Sequence, residues 1–412
     1  FESKYSLTFK CPMLIKLAIE SLKDRKESII LALIGMTISI FVLFGVEHIR
    51  QQTKKSFVNA LSGTDLIIGA RTSNINLLLY SVFRLGSPTN NISWNAFKKI
   101  SSEKEIEWAI PISLGDSHKS FPVIGTTINY FKYFKYGADR RLSLLQGTVF
   151  DKPLDIVIGH QVARKLKYKL GDKIYLSHGL SGTSFSLHKN YPFKIVGILA
   201  PTGTPVDRTL HVSLKGIEVI HRNDQTLDLK TIKDPDQITA IFLGLKSKIT
   251  TFRVQRQINE MKSEPLLAIL PGVALSELWQ ISELLENSLL TISALVFIAS
   301  CFGVAATILS SIRERTHELI LMRTLGAPPT FIFKLIAVEA MLITTVSIIL
   351  SISLMYLTTT VFQEGLLINV GVNVEPYFAD YNTLRYAILL LGGTAVIALI
   401  PGYRAYSVSR LG

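Results

Sequence analysis

Seven of the eight histidines fall between His48 and His221; the eighth is His317. Imidazole is a common zinc ligand, and a structural zinc site takes four ligands. No pair of these histidines shows the tight spacing of a zinc motif, and seven of eight is a mild excess for so long a segment. The simplest reading scatters them over surface and core. If the segment holds a metal, His178, His188 and His211 are the candidate ligands. Cys11 and Cys301 are too few for a disulfide framework or a Cys-rich zinc module. The chain has no phosphate-binding Gly-x-x-x-x-Gly-Lys-Ser/Thr loop, no Gly-x-Ser-x-Gly elbow and no His-Glu-x-x-His pair. No catalytic residue and no cofactor of its own is therefore expected.

A second segment is rich in charge. Arg313-Glu-Arg-Thr-His-Glu-Leu-Ile-Leu-Met-Arg-Thr-Leu-Gly-Ala reads as a short amphipathic helix. Gly326 can end it in a left-handed conformation, and Pro328 and Pro329 prevent continuation. Such a helix would present Arg313, Glu314, Arg315 and Glu318 to a partner, with Leu325 and Gly326 fixing its end.

The elements that position these groups follow from composition. The 412 residues are 48% hydrophobic and 18% charged, against about 25% charged in a soluble domain, and the mean hydropathy is +0.35. Four stretches reach the roughly 20 apolar residues that cross a bilayer as helix. They divide the chain into an N-terminal tail with an interfacial amphipathic helix (1–27), a first span (28–47), a large external domain (48–285), and a second span (286–312). A cytoplasmic helix and loop (313–334), a third span (335–363), a short external loop (364–384), a fourth span (385–403) and a tail (404–412) follow. Lys and Arg crowd the first segment, the 313–334 loop and the tail, whereas 364–383 has none, so both termini are expected in the cytoplasm. Residues 1–12 read as preceding a natural start at Met13. Glu339, at the edge of the third span, reads as snorkelling to the interface.

The external domain reads as α+β, with helical stalks continuing the first two spans. Strand-helix-strand patterns recur at its two ends (48–114 and 235–285), as one split membrane-proximal lobe. A strand-richer lobe (115–234) is inserted between them. The net charge of +13 reads as a solvated surface or an attraction to anionic headgroups or an acidic partner; no nucleic acid is expected.

The run Arg315-Thr-His-Glu-Leu-Ile-Leu-Met-Arg-Thr-Leu-Gly-Ala, followed by Val338-Glu-Ala, resembles the signature of FtsX-like/MacB-like permeases of ABC transporters. The four-span layout, Gly159-His-Gln-Val-Ala-Arg-Lys-Leu and Leu170-Gly-Asp-Lys-Ile are similar too, as are Asp65-Leu-Ile-Ile-Gly-Ala-Arg and Thr202-Gly-Thr-Pro-Val-Asp-Arg-Thr. The resemblance implies a homodimer in the bacterial inner membrane with its large domain in the periplasm. It also implies a separate cytoplasmic ATPase holding ATP and Mg, and mechanotransmission, in which ATP-driven motion reaches the external domain to export or extract a substrate. A periplasmic adaptor or substrate protein is a further expected partner. The alternative within the same architecture is a signalling or scaffold protein that switches a periplasmic partner such as a cell-wall hydrolase.

Overall fold

Lipid offers no hydrogen bond to a peptide group, so an apolar run of this length satisfies its own backbone as a helix. The computed structural model describes residues 11–60, 62–137, 139–178, 191–221, 234–314, 321, 324, 327–369, 375–377, 379 and 381–411. Among the described residues, four helices are long and apolar enough to cross a membrane. They lie within Lys26–Asn59, Pro271–Glu314, Pro329–Asn369 and Tyr381–Leu411. At 1.5 Å per residue the first two extend about 50 and 65 Å, well beyond the roughly 30 Å of hydrocarbon.

Residues 1–51, 284–363 and 375–412 form one unit, and residues 52–283 with 364–374 a second. In the first unit the long helices share an apolar core of Met36, Ile40, Phe44, Cys301, Val304, Ile308, Ile336, Ile343, Met355 and Leu390. Their outer faces expose Leu31, Ile38, Leu295, Phe302, Leu357 and Val396, a pattern suited to a solvent no more polar than the side chains themselves. The short helix Cys11–Lys23 precedes the first long helix, as its amphipathic pattern predicts.

Among the described residues the second unit is built on a mixed sheet of eleven strands, with helices and two small two-stranded sheets. Its path runs Leu266–Ile269, Leu66–Ala70, Ala240–Leu245, Ile106–His118, Phe121–Thr126, Leu210–Ser213, Asp155–Ile158, Phe193–Leu199 and Leu144–Gly147. The strands from the two ends of the segment occupy one end of this path, and those from its middle the other. Strand Ile106–His118 serves both: residues 106–112 pair with Ala240–Leu245, and residues 113–118 with Phe121–Thr126. Helices Trp94–Ser101 and Thr251–Asn259 cover the first end through Ile100, Val254 and Ile258. Ser93 caps the former by accepting from the Ala96 amide, and Glu264 accepts from the Ser93 amide and hydroxyl. At the other end, helices His160–Leu166 and Leu214–His221 bury Val162, Ile217 and Ile220 against Phe121, Ile156 and Phe193.

Gly159 enters helix His160–Leu166 at a place without room for a side chain. A Cβ there would lie 2.4 Å from the carbonyl oxygens of Val206 and Asp207, which are backbone atoms. Gly159→Ala is therefore expected to destabilise this unit by about 2 kcal/mol. Thermal unfolding of the full chain, with Gly272→Ala as the control because nothing lies within 4 Å of its Cβ position, measures the difference.

Candidate functional site

Polar groups in the membrane unit sit where helices must be held in register. Glu339 is 3% exposed. It accepts a charge-assisted bond of 2.9 Å from Arg25 Nη2 and another from the Ser21 hydroxyl. It is thus paired rather than snorkelling, and it ties the junction of helix Cys11–Lys23 and the first long helix to the third. Ser39 and Ser300 hydroxyls meet at 2.5 Å between the first and second helices. The Thr344 hydroxyl donates at 3.1 Å to Thr394, joining the third and fourth.

Where the apolar part of the first helix ends, Arg50 forms a two-pronged pair with Glu47, at 2.7 and 2.9 Å, and reaches Glu286 of the second helix at 3.4 Å. Nearby, His48 Nε2 donates to the Glu375 carbonyl at 3.0 Å, and its ring meets Tyr377 edge-on. These contacts fasten the first two long helices together at the level where the sequence places the stalk roots.

The sequence-predicted coupling residues are divided. Arg313 and Glu314 are the last two residues of helix Pro271–Glu314. Arg315, Glu318, Leu325 and Gly326 lie outside the described residues.

The three candidate metal ligands are also separated. His188 lies outside the described residues. His211 is fully buried on strand Leu210–Ser213, where Nδ1 donates to the Val157 carbonyl at 3.3 Å and the ring packs on Tyr130 and Phe131. Desolvation, reinforced by the nearby Arg84 guanidinium, pushes its pKa down to about 3. His178 instead meets two residues that spacing did not single out as partners, Asp116 and His221. His178 Nδ1 lies 3.0 Å from Asp116 Oδ1, and His221 Nε2 lies 3.3 Å from Asp116 Oδ2. Hydrogen bonding to Asp116 raises His221 above its ordinary pKa.

The placement has a backbone cause. The ladder between Ile106–His118 and Phe121–Thr126 shifts register between Leu114 and Ser117, around Gly115 at φ +142°. Such a bulge re-aims the residue it displaces. Asp116 then lies directly across from His178 in the pairing with strand Ser177–His178, and His221 comes from helix Leu214–His221. His118, two residues on, is engaged elsewhere: Nδ1 donates to the Tyr175 carbonyl at 2.6 Å, which leaves Nε2 to accept from the Tyr168 hydroxyl at 2.8 Å. Burial lowers its pKa.

Asp207, within the 202–209 motif, closes a turn. Its carboxylate accepts from the Thr202 amide and hydroxyl and from the Gly203 amide, each at 2.8 Å. Burial raises its pKa while these bonds oppose the rise. The motif is thereby a structural knot beneath Gly159.

Four apolar helices and a mixed α/β domain carried between the first and second define a polytopic membrane protein with one large domain. The family described as "MacB-like periplasmic core domain" matches residues 29–261, more than half of the chain, and "FtsX-like permease C-terminal" matches residues 290–411. The chain belongs to the FtsX-like/MacB-like permeases of ABC transporters. It is 23% identical over 274 residues to the lipoprotein-releasing system transmembrane protein LolE of Haemophilus influenzae. That match takes in 63% of each protein, so the chain spans under two thirds of this relative's length. Of solved structures, the periplasmic region of MacB from Actinobacillus actinomycetemcomitans aligns at 12% identity and a TM-score of 0.35, over 54% of this chain and 97% of the other. The extracellular domain of the noncanonic ABC-type transporter YknZ from Gram-positive bacteria aligns at 11% and 0.32, over 50% and 99%.

Two outcomes are expected from this geometry. Glu339→Leu leaves the largely enclosed Arg25 guanidinium without its counter-charge, a loss of about 3 kcal/mol. Thermal stability in detergent should fall accordingly, and the double variant Arg25→Met/Glu339→Leu should recover most of it.

The second concerns His211. The unfolded chain takes up a proton on His211 near pH 6.5, and the folded chain only near its pKa of about 3. The unfolded state therefore binds more protons between these values. The contribution to stability is complete above about pH 6.5 and declines as pH falls, by up to about 1.4 kcal/mol per pH unit. Between pH 6.5 and 5 the wild-type protein should lose about 1.6 kcal/mol more than His211→Gln, read by denaturant titration at each pH.

Proposed function

We propose that this protein is the membrane subunit of an ABC transporter of the bacterial inner membrane, with both termini in the cytoplasm and the large domain in the periplasm. It works as a homodimer with a separate cytoplasmic ATPase that binds ATP and Mg and supplies all hydrolysis. The ATPase docks on the 313–334 segment, with Arg313, Glu314, Arg315 and Glu318 making the contact and Leu325 and Gly326 ending the helix. ATP-driven closure passes along the first two long helices, acting as stalks, to a two-lobed external domain that exports or extracts a substrate there. The protein contributes shape and leverage, not chemistry.

The observation that carries this reading is the continuity of helices Lys26–Asn59 and Pro271–Glu314, each far longer than a bilayer requires. A helix resists bending and compression along its axis, so it can convey displacement without a pore. Family membership supports the ATPase partnership, and the name of LolE, a lipoprotein-releasing protein, fits work on a substrate at the outer face. Spans with carboxylates and guanidinium groups paired near their ends are suited to mechanical work rather than to an ion relay.

The test locks the stalks. Cysteines replacing Gln52 and Glu283, in a background lacking Cys11 and Cys301, are cross-linked between the two copies of the dimer. Export or release should fall at least tenfold while the ATPase still co-purifies. Full activity in completely cross-linked protein would rule out stalk motion. Loss of ATPase co-purification in Glu318→Lys/Gly326→Pro, with normal membrane insertion, is the expected companion result.

A further inference from the structure

We infer that Asp116, His178 and His221 form a binding site for a divalent transition-metal cation of the zinc class on the external domain. One carboxylate and two imidazoles are a ligand set that suits zinc, and three protein ligands leave a coordination position for solvent. With metal–ligand bonds near 2.0–2.1 Å, the edge of a tetrahedron is about 3.3 Å. The His178 Nδ1–Asp116 Oδ1 and His221 Nε2–Asp116 Oδ2 separations are 3.0 and 3.3 Å. All three ligand atoms lie within 4.8 Å of one another, so an ion can enter through small side-chain rotations with no movement of the backbone.

Burial and electrostatics favour a cation at this point. Asp116 is only 2% exposed, and its ion pairs among the described residues are with these two histidines. A buried carboxylate is costly unless it is paired or coordinates a metal. The rings of His178 and His221 stack at 4.8 Å and 26°, with their side chains 46% and 39% exposed. An ion therefore has a route from solvent to a ligand that is itself out of solvent.

Three independent pieces of backbone converge here: a bulge, a short strand and a helix. A cation would clip the Ser177–His178 strand and helix Leu214–His221 to strand Ile106–His118, the strand shared by both ends of the sheet. This inference rests on the external domain alone and does not depend on the ATPase partnership.

The experiment uses full-length protein in detergent, freed of metal by chelation, and titrated with Zn2+ alone by calorimetry and with Co2+ as a spectroscopic probe. One ion per chain is expected, with ligand-field absorption typical of a low-coordinate nitrogen and oxygen site and a rise in thermal stability. Loss of outer-sphere partners already weakens metal affinity 10–100-fold, so Asp116→Asn, His178→Gln and His221→Gln should each weaken it by about a hundredfold or more. His160→Gln, a histidine of the same domain outside the cluster, should leave it unchanged. No uptake by the wild-type protein would overturn the site, leaving a hydrogen-bonded Asp–His pair of contacts. Equal uptake by the Asp116→Asn/His221→Gln double variant would overturn it too, by placing the ion elsewhere. The two histidines are well exposed, so circular dichroism should report His178→Gln and His221→Gln as folded.

Discussion

Hydrocarbon cannot hydrogen-bond to a peptide group, and most of the membrane unit follows from that one fact. It makes the spans helical, confines their charged groups to the ends, and leaves interior polar contacts to hydroxyls that can also satisfy themselves within the helix. Thr344 shows the economy: its hydroxyl lies 3.1 Å from both the Ala340 carbonyl and Thr394 Oγ1. Ser39 likewise contacts the Gly35 carbonyl and Ser300. Such contacts hold helices in register at small cost, because Ser39, Thr344 and Thr394 each have an acceptor in their own helix if the helices slide apart. The ionic contacts behave differently. Arg25–Glu339 and Arg50–Glu47–Glu286 cannot be separated without stranding a charge, so they fix which helices are neighbours at each end of the apolar segments.

The external domain depends on a different element, strand Ile106–His118. Its first half is paired with one neighbour and its second half with another, and Pro111 stands near the exchange. Proline has no amide to donate, which is tolerable where one ladder is ending and the next has not begun. The Pro111 carbonyl is still used, accepting from the Thr126 hydroxyl at 2.9 Å. Four residues later Gly115 takes a backbone conformation open to glycine and builds the bulge that turns Asp116 toward His178. One strand thus joins the two ends of the sheet and positions the cluster.

Much of this was legible in the sequence, and the failures have definite causes. The four spans announce themselves by hydropathy, and strands such as Phe193–Leu199 and Leu210–Ser213 by their apolar runs bounded with turn residues. Glu339 was misread because its partner Arg25 is 314 positions away, beyond any local pattern. His211 is no ligand because its strand is central and buried on both faces, which a four-residue run does not reveal. Asp116 escapes the sequence because His178 and His221, its partners, lie far along the chain and no local spacing links them. A bulge inside a long strand leaves the same residue signature as a loop. Only the glycine hinted at it.

The ladder order also dictates how this domain can be made. Strand Leu66–Ala70 lies between Ala240–Leu245 and Leu266–Ile269, and Asp65 accepts from the Leu245 amide 180 positions later. During synthesis, Leu-Ile-Ile-Gly-Ala emerges early and finds neither neighbour until nearly the whole segment has followed it. An unpaired apolar edge of this kind invites self-association. Biogenesis of the protein must therefore shelter that edge through most of translation, and completion of the sheet coincides with delivery of the second long helix to the membrane.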